Sequence, residues 1–290
     1  MSEQTNLFDM DDADPFVAAL DRYGTWPVTV WDCNFSDPTV KQMKDLIGDG
    51  GEARTDADGY VYFAGVKRKA GTSAMYTGKA FGVFNPAVAA WVLNMYAPET
   101  GVCFDPFGGG GTRAIMAAKH GLNYSGVELR LEECVAVESR CAAANCLDQV
   151  DIVCGDSTDS SHMADNSADF LLTCPPYWNL EQYNGGDNDL SMCRTYGEFC
   201  AGMGDVIAET KRILKPGSVA VWVVGMFRHN NKLIPMHHDI ARLHMEAGFS
   251  LREEIVLAHR NNGALQRVGN FEKGNKYLIR THEYALVFNA

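Results

Sequence analysis

The sequence predicts an α/β fold with a mostly parallel central sheet and helices on both faces. Two observations predict it. A glycine-rich turn, residues 105–112, stands between an apolar run and a segment of helix-forming composition. Residues 113–173 then alternate helix and strand patterns in regular order. Such alternation is typical of a parallel sheet whose crossover helices cover both faces.

Each element follows from local composition. Around the glycine turn the patterns predict these elements: strand 101–104, helix 113–120, strand 123–128, helix 131–146, strand 150–154 and strand 168–173. The flanking regions add the following: a short strand within 23–31, helices 38–47 and 87–96, helix 196–214, strand 218–225, helix 234–246, and strands 249–257 and 282–288. Lys215-Pro-Gly217 is expected to end the helix before it, because proline and glycine interrupt regular structure.

The totals allow one large domain. The chain has 290 residues, 46% hydrophobic and 21% charged, which is ordinary for a globular protein. No apolar run approaches the ~20 residues that cross a bilayer, so we expect no membrane association and a cytoplasmic protein. Nine cysteines without C-x-x-C pairs argue against a structural metal and favour reduced thiols.

Charge is distributed unevenly along the chain. The net charge of −12 argues against a nucleic-acid binder on totals alone. Residues 1–14, however, hold five acids and no base, and we expect residues 1–15 to form a disordered acidic tail. Residues 16–290 are then expected to form a single domain.

The glycine turn, Asp105-Pro-Phe-Gly-Gly-Gly-Gly-Thr112, is the first candidate site. Glycines let a backbone approach a ligand closely, and such turns lie where open α/β sheets bind nucleotides. Glu128 ends the next predicted strand 17 residues after Gly111. A carboxylate at about this distance normally binds ribose hydroxyls. The alternative is a merely flexible loop.

A second candidate site, Thr173-Cys-Pro-Pro-Tyr-Trp178, follows an apolar strand. Together the two motifs resemble those of the S-adenosylmethionine-dependent amino-methyltransferases of DNA, which carry a D-P-F-x-G-x-G-T turn and a [D/N/S]-P-P-[Y/F/W] loop. The resemblance is greatest to a phage-type group whose loop reads T-C-P-P-Y. It covers roughly residues 23–288 and implies a Rossmann-like class I methyltransferase fold with S-adenosyl-L-methionine as cofactor.

The resemblance also implies roles for individual residues. Pro175 would offer its carbonyl to the target amine and Tyr177 would stack on a base flipped out of the duplex, with Cys174 and Pro176 completing the catalytic loop. The implied cofactor-binding residues are Phe84, Pro86, Asp105, Phe107, Gly109, Gly111, Thr112, Glu128, Asp156 and Thr173. Asp156 could instead be a turn or helix cap.

Cys174 departs from the family pattern, which has Asp, Asn or Ser there. A thiol is a weak hydrogen-bond acceptor. Four interpretations stay open: a tolerated variant in a working amino-methyltransferase, an inactive cofactor-binding module, a thiolate nucleophile acting on a pyrimidine ring, or an enzyme acting on RNA or a protein glutamine. The choice between adenine N6 and cytosine N4 also stays open.

Basic segments suggest double-stranded DNA as the partner. Residues 259–281 hold six bases, counting His259, against the single acid Glu272, and residues 67–79 are expected to form a basic, flexible stretch. The predicted DNA-binding residues are Lys67, Arg68, Lys69, Arg194, Arg260, Arg267, Lys273 and Lys276. Recognition loops are expected at about 179–195 and 259–281, with a monomer or homodimer and a role in restriction-modification. The alternative is that these segments are solvated loops.

Overall fold

The computed structural model describes residues 22, 28–33, 54–55, 60–63, 66–69, 84–180, 183, 185–259, 276–278 and 280–290. The predicted tail over 1–15, the predicted helix over 38–47 and most of the predicted loop over 259–281 lie outside the described residues. Within the described part of the chain, no helix is long and apolar enough to cross a bilayer.

The elements follow the predicted order. The described strands are β1 (Val30–Asp32), β2 (Arg54–Thr55), β3 (Tyr60–Phe63), β4 (Val66–Lys69), β5 (Val102–Asp105), β6 (Asn123–Glu128), β7 (Val150–Cys154), β8 (Ala168–Thr173), β9 (Leu214–Val224), β10 (Phe227–His229), β11 (Lys232–Ile234), β12 (Ser250–Ala258) and β13 (His282–Asn289). The described α-helices are α1 (Pro86–Tyr96), α2 (Thr112–His120), α3 (Leu131–Ala143), α4 (Tyr196–Ile213) and α5 (Met236–Glu246).

Eight strands form the central sheet, in the order β1-β12-β13-β9-β8-β5-β6-β7. Strands β9, β8, β5, β6 and β7 pair in parallel, while β13 is antiparallel to both of its neighbours. From β5 the chain winds outward to β6 and β7, then returns to the other side of β5 as β8. The boundary between β5 and β8 is therefore the switch point of the topology, where open sheets bind ligands.

Two buried clusters fill the layers on the sheet. One includes α1, α2 and Trp31, whose ring meets Trp91 edge-on at 5.8 Å. The other includes α4 and α5 and is centred on Trp222, which is fully buried. Strand β8 is buried almost throughout because helices cover both of its faces, as in parallel sheets generally. The predicted fold class is confirmed.

Lys215-Pro-Gly217 does not separate α4 from the next strand as predicted. Strand β9 already begins at Leu214, and the register shifts from the pair Ala168–Leu214 to the pair Phe170–Val219. Gly217 has a φ of 81°, which a glycine adopts easily. The extra residues form a bulge, where a proline that lacks an N–H donor is tolerated.

Two further predictions need correction. Lys67, Arg68 and Lys69 lie in strand β4, which pairs with β3 in a three-stranded antiparallel sheet, rather than in a flexible stretch. The aromatic and β-branched composition of Tyr60–Phe63 favours this pairing. The helix predicted over 131–146 ends at Ala143, and Leu147–Gln149 form a separate 3₁₀ turn.

Candidate active site

The glycine turn joins β5 to α2 and rests on β6. Gly108 donates its N–H to the Val127 carbonyl at 2.7 Å, and a Cβ at Gly108 would lie 2.7 Å from Ile152 Cδ1. Gly109 and Gly111 have φ values of 53° and 83°. Residues with a side chain rarely adopt such positive φ values, and a Cβ at Gly108 would clash with Ile152, so glycine is needed at these positions. The turn thus presents bare backbone at the carboxyl end of β5.

The side chain of Asp105 holds the glycine turn in place through hydrogen bonds. Its side chain is completely buried, and each carboxylate oxygen accepts two hydrogen bonds. Oδ1 accepts from the Phe107 N–H (3.0 Å) and the Thr173 hydroxyl (2.6 Å), while Oδ2 accepts from Arg113 Nε (2.7 Å) and the Tyr124 hydroxyl (2.8 Å). Asp105 and Thr173 were predicted to bind cofactor. Their polar side-chain groups bind each other, which holds the turn in shape, and their role toward a cofactor stays a prediction.

Arg113 is a site residue that the sequence analysis missed. Its guanidinium is buried, pairs with Asp105, and donates from Nη2 to the carbonyls of Phe107 (2.5 Å) and Gly108 (3.4 Å). Burial alone would lower its pKa, but the Asp105 carboxylate raises the pKa above its ordinary value. A cation in the first turn of a helix opposes the helix dipole. An arginine directly after Thr112 was therefore a signal that a buried acid lies nearby.

Glu128 lies at the carboxyl end of β6, opposite the turn. Oε2 accepts the N–H of Gly109 at 3.1 Å and Oε1 accepts the N–H of Arg130 at 3.0 Å. Burial raises the pKa of Glu128, although those hydrogen bonds and the Arg130 guanidinium oppose the shift. Each oxygen has a second lone pair, so the carboxylate can still accept two ligand hydroxyls.

Asp156 follows β7 in the next loop. Its Oδ1 accepts the N–H of Thr158 at 2.9 Å, which is the turn-capping contact considered as the alternative for this residue. The Gly155 N–H donates to the Glu128 carbonyl at 3.0 Å, which holds the two loops together. Asp156 therefore lies beside Glu128 at the same edge of the sheet, and its role toward a cofactor stays a prediction.

The segment before α1 also approaches the turn. Asn85 caps the helix by accepting the Ala87 N–H at 3.0 Å, and Pro86 is buried in the first helical turn. The Phe84 ring lies under the Arg113 guanidinium, 4.9 Å from the ring centroid to Cζ. The structure thus brings Phe84 close to Arg113 beside the glycine turn, and the role of Phe84 toward a cofactor stays a prediction.

The loop after β8 is anchored at both ends. Thr173 is bonded to Asp105 at one end, and at the other the buried Trp178 donates its indole N–H to the Cys193 carbonyl at 2.8 Å. Between them Pro175 is buried, whereas Cys174 and Pro176 are partly exposed. The loop therefore has a fixed path beside the glycine turn.

Tyr177 is held by residues from two other strands. Its ring meets Phe227 edge-on at 5.9 Å, and its hydroxyl lies 3.5 Å from Glu283 Oε1. Glu283 Oε2 lies 3.4 Å from His259 Nε2. A Cβ at Gly225 would stand 2.7 Å from the Tyr177 hydroxyl. Gly225 and Glu283 were not predicted as site residues, because nothing in the sequence relates them to residue 177.

The predicted DNA-binding residues are only partly described. Arg194 is 87% exposed and pairs with Glu198 at 3.2 Å. Lys276 is exposed, and Arg260, Arg267 and Lys273 lie outside the described residues. An open cleft of about 570 Å³ runs along the segment predicted for recognition, lined by Gly186, Asp187, Asp189, Met192, Cys193, Arg194 and Glu198. The structure does not test the DNA contacts of these residues, which stay predictions.

Comparison with known proteins now identifies the second half of this site. The family model of the N6/N4 DNA methylases, described as "DNA methylase", matches residues 168–290, from β8 to the end of the chain. The match supports a methyltransferase that uses S-adenosylmethionine as its cofactor. A search of curated proteins finds no match.

Solved structures share the fold at low identity. Geranyl diphosphate C-methyltransferase from Streptomyces coelicolor A3(2) is 11% identical, with a TM-score of 0.50 over 71% of this chain and 76% of that chain. An S-adenosylmethionine-dependent methyltransferase from Methanosarcina mazei is 12% identical, with a TM-score of 0.48 over 68% and 96%. TrmN from Thermus thermophilus is 15% identical, with a TM-score of 0.47 over 71% of this chain and 49% of that chain, so this methyltransferase spans about half of TrmN.

The residues present suit S-adenosylmethionine. The bare glycine turn can approach a ligand closely, and Glu128 retains acceptor capacity for the ribose hydroxyls. The loop that begins at Cys174 lies across the switch point from Glu128, at the end of β8. A ligand that spans these strands would therefore place adenosine toward β6 and β7 and its reactive end toward β8.

Proposed function

We propose that this methyltransferase transfers a methyl group to an exocyclic amine in DNA, N6 of adenine or N4 of cytosine, in a base flipped out of the duplex. The observation that carries the proposal is the position of the Cys174-Pro-Pro-Tyr177 loop. It starts directly after β8, and the Thr173–Asp105 hydrogen bond fixes its start against the glycine turn. The family match begins at the same strand and supports the same substrate class.

The loop can activate a poor nucleophile. The lone pair of an exocyclic amine is delocalised into the base, so the amine must be bent toward tetrahedral geometry before it can react. The Pro175 carbonyl would accept one N–H of the amine. Pro175 is buried and has a fixed φ, which keeps its surroundings stiff and the direction of that carbonyl constant.

Cys174 would orient the amine from the other side. It packs against the buried cluster that includes α1 and α2, next to Arg113. Because a thiol accepts hydrogen bonds weakly, we expect its contribution to be smaller than that of the Asp, Asn or Ser found in most of the family. In this role the thiol positions the amine and forms no covalent bond.

Tyr177 would supply the surface on which the flipped base stacks. Phe227, Gly225 and Glu283 constrain the ring and its hydroxyl, so the base meets a plane that is set before binding. Stacking of a base on an aromatic side chain is worth ~1–3 kcal/mol. Most of the remaining acceleration would come from proximity and orientation, which supply roughly 7–11 kcal/mol in well-aligned reactions.

The cofactor, when bound, supplies a methyl group on a positively charged sulfur, which keeps the electron pair of the broken S–C bond. The amine nitrogen forms the new C–N bond and then releases one proton to water. The protein's task is thus to align the amine held by Pro175 and Cys174 with a ligand held by the glycine turn and Glu128.

Double-stranded DNA is the partner we propose, with the protein acting as a cytoplasmic monomer or homodimer in restriction-modification. The net charge of −12 is that of the whole chain, whereas the predicted contacts are local. If Arg260, Arg267, Lys273 and Lys276 contact phosphates, DNA affinity falls with salt at a slope of roughly −0.9 per contact. Charge reversal at Lys273 and Lys276 then flattens that slope.

The decisive experiment offers DNA, RNA and protein to the enzyme with isotopically labelled cofactor, followed by mass spectrometry of nucleosides and amino acids. We expect label on N6 of adenine or N4 of cytosine from DNA. Cys174→Ser retains or raises turnover, because a hydroxyl accepts hydrogen bonds better than a thiol. Cys174→Ala lowers turnover about 10²–10³-fold, the range for losing one positioned polar group. Cys200→Ser, in α4, is the matched control.

Each of the other outcomes contradicts one part of the proposal. A dead Cys174→Ser variant that still binds cofactor, together with a covalent adduct on fluorinated cytosine, contradicts the orienting role and indicates attack by the thiolate. Label on RNA or on a protein glutamine shows that this acceptor, and not DNA, is the substrate class. No label in any acceptor indicates a module that binds cofactor without catalysis.

A further inference from the structure

Arg113 has one guanidinium nitrogen that donates to no acceptor among the described residues. A guanidinium carries five N–H donors in a fixed plane. Here Nε donates to Asp105 and Nη2 donates to the carbonyls of Phe107 and Gly108. In the part of the chain that the structure describes, Nη1 donates to no acceptor, although the side chain is only 7% exposed.

The guanidinium lies among the residues that surround the reactive end of the site. It stands over the Phe84 ring, 4.9 Å from its centroid. A Cβ placed on Gly109 of the turn would lie 3.7 Å from Nη2. Cys174 is close enough to interact with it electrostatically. Arg113 is therefore between the glycine turn and the catalytic loop, at the switch point between β5 and β8.

The positions of these residues indicate how S-adenosylmethionine would be oriented in the site. Glu128 and Asp156 lie at the ends of β6 and β7, where adenosine is expected. The methyl-bearing sulfur must lie near Cys174 and Pro175, at the end of β8, if it is to meet the target amine. The methionine moiety would extend from that sulfur, which would bring its charged groups close to the turn and to Arg113.

We propose that Nη1 of Arg113 binds the carboxylate of the methionine moiety of S-adenosylmethionine. Asp105 is bound by Nε, so the planar guanidinium can bind a second carboxylate through Nη1 without competition between the two. This inference rests on the cofactor and on the proposed role of the Cys174–Tyr177 loop, but not on DNA as the substrate. It makes Arg113 a specificity residue that favours adenosine ligands carrying an amino-acid group.

The test compares two ligands by calorimetry: S-adenosylhomocysteine and 5′-methylthioadenosine, which lacks the amino-acid group. Arg113→Lys keeps a cation beside Asp105 but removes the fork. We expect the affinity of this variant for S-adenosylhomocysteine to fall roughly 10- to 100-fold, the scale of one hydrogen bond between charged groups. Its affinity for 5′-methylthioadenosine falls by a smaller factor, because only the loosened turn affects that ligand.

Arg140→Lys is the matched control. Arg140 Nη1 also holds the turn, by donating to the Gly110 carbonyl at 2.7 Å, and it pairs with Glu133 at 2.8 Å. Any loss caused by a loosened turn affects both ligands equally. We therefore expect Arg140→Lys to lower both affinities by the same factor, and only Arg113→Lys to discriminate between them.

Equal losses for the two ligands in Arg113→Lys, or no loss for either, overturn the proposal and leave Arg113 a structural role. If Arg113→Lys does not fold, a crystal structure of the wild-type protein with S-adenosylhomocysteine decides. Nη1 within hydrogen-bonding distance of the carboxylate supports the proposal, and a carboxylate bound elsewhere overturns it. Discrimination by Arg113 without DNA methylation leaves this inference standing and rejects only the DNA substrate.

Discussion

The Thr173 hydroxyl donates a 2.6 Å hydrogen bond to Oδ1 of Asp105, and both side chains are completely buried. This bond joins the end of β8 to the end of β5, across the switch point of the sheet. The two motifs lie 68 residues apart in the sequence, yet the bond makes the glycine turn and the catalytic loop one unit. In the proposed function, this single buried carboxylate would align the cofactor with the target amine.

Removing the Thr173 hydroxyl and removing the Asp105 charge have different consequences for stability. Thr173→Val is expected to cost about 1 kcal/mol of unfolding free energy, the net value of one hydrogen bond, and also to lower turnover. Asp105→Asn leaves the buried Arg113 cation without its counter-charge and should cost roughly 3–5 kcal/mol. Urea denaturation measures both losses.

Thr210→Val is the control for Thr173→Val. Thr210 is equally buried, but its hydroxyl donates within α4 to the Ile207 carbonyl at 2.8 Å. We expect a similar loss of stability without loss of turnover. Equal turnover in the two valine variants would show that the bond between β5 and β8 is structural only.

Gly225 is expected to set the position of the Tyr177 ring. In Gly225→Ala the new Cβ would stand 2.7 Å from the Tyr177 hydroxyl, so the ring must move. We predict a lower kcat/KM for DNA and unchanged affinity for S-adenosylhomocysteine. Tyr177→Phe removes the clashing oxygen, and the double variant should regain activity.

Gly204→Ala provides the comparison. A Cβ at Gly204, in α4, would make only an ordinary contact of 3.8 Å with Leu243 Cδ2, so we expect wild-type activity. If the double variant is no more active than Gly225→Ala, the steric explanation is wrong and Gly225 has another role.

Cofactor affinity should depend on the ionisation of Glu128. Burial raises the pKa of Glu128, and only the ionised carboxylate can accept hydrogen bonds from two ribose hydroxyls at both oxygens. Because the pKa is raised, protonation begins at a higher pH than for an ordinary glutamate, whose pKa is about 4.3. Affinity for S-adenosylhomocysteine should therefore fall as the pH drops from neutral toward that value.

Glu128→Gln is uncharged at every pH. At pH 7 it should bind S-adenosylhomocysteine roughly 1–3 kcal/mol more weakly, the scale of hydrogen bonds to a charged group. Its affinity should not change further over the same pH range. Calorimetry at several pH values checks both statements, and parallel pH profiles for the two proteins would contradict them.

Acid sensitivity of the fold should originate in part at His244. The ring is buried between Phe288, stacked at 4.1 Å, and Trp222, edge-on at 4.6 Å. Burial lowers its pKa to about 3, and that of His237 to about 4. The pKa of histidine in an unfolded chain is about 6.5, so below that pH the unfolded state binds more protons than the folded state. The free energy of unfolding therefore falls as the pH drops, until the pKa of the folded state is reached. The fall is up to roughly 1.4 kcal/mol per pH unit for each histidine.

His244→Phe should flatten this slope. The variant loses the hydrogen bond between Nδ1 and the Ile240 carbonyl (2.8 Å). It also removes Nε2, a buried nitrogen that has no hydrogen-bond partner among the described residues. We expect little change in unfolding free energy at pH 7 and higher stability than wild type near pH 4. Urea denaturation at the two pH values measures this, and an unchanged slope would refute the assignment.

The order of elements around the site was predictable because it depends on local patterns. Strands 123–128, 150–154 and 168–173 have their predicted bounds, since turn signals on either side of short segments with apolar and aromatic residues define them. The bulge at Lys215-Pro-Gly217 was not predictable. Whether a Pro-Gly pair ends an element or bends a strand depends on the neighbouring strands that pair with it.

The sequence by itself determined the two motifs and the resemblance of residues 168–290 to the DNA methylase family. It did so because a glycine turn and a Pro-Pro-Tyr loop are contiguous, and their chemistry depends on neighbours in the chain. Only the tertiary structure decided what supports them. Arg113, Gly225 and Glu283 join the site through contacts between strands distant in sequence, and the buried carboxylate of Asp105 holds the glycine turn. Such contacts depend on the order of strands in the sheet, which no local pattern encodes.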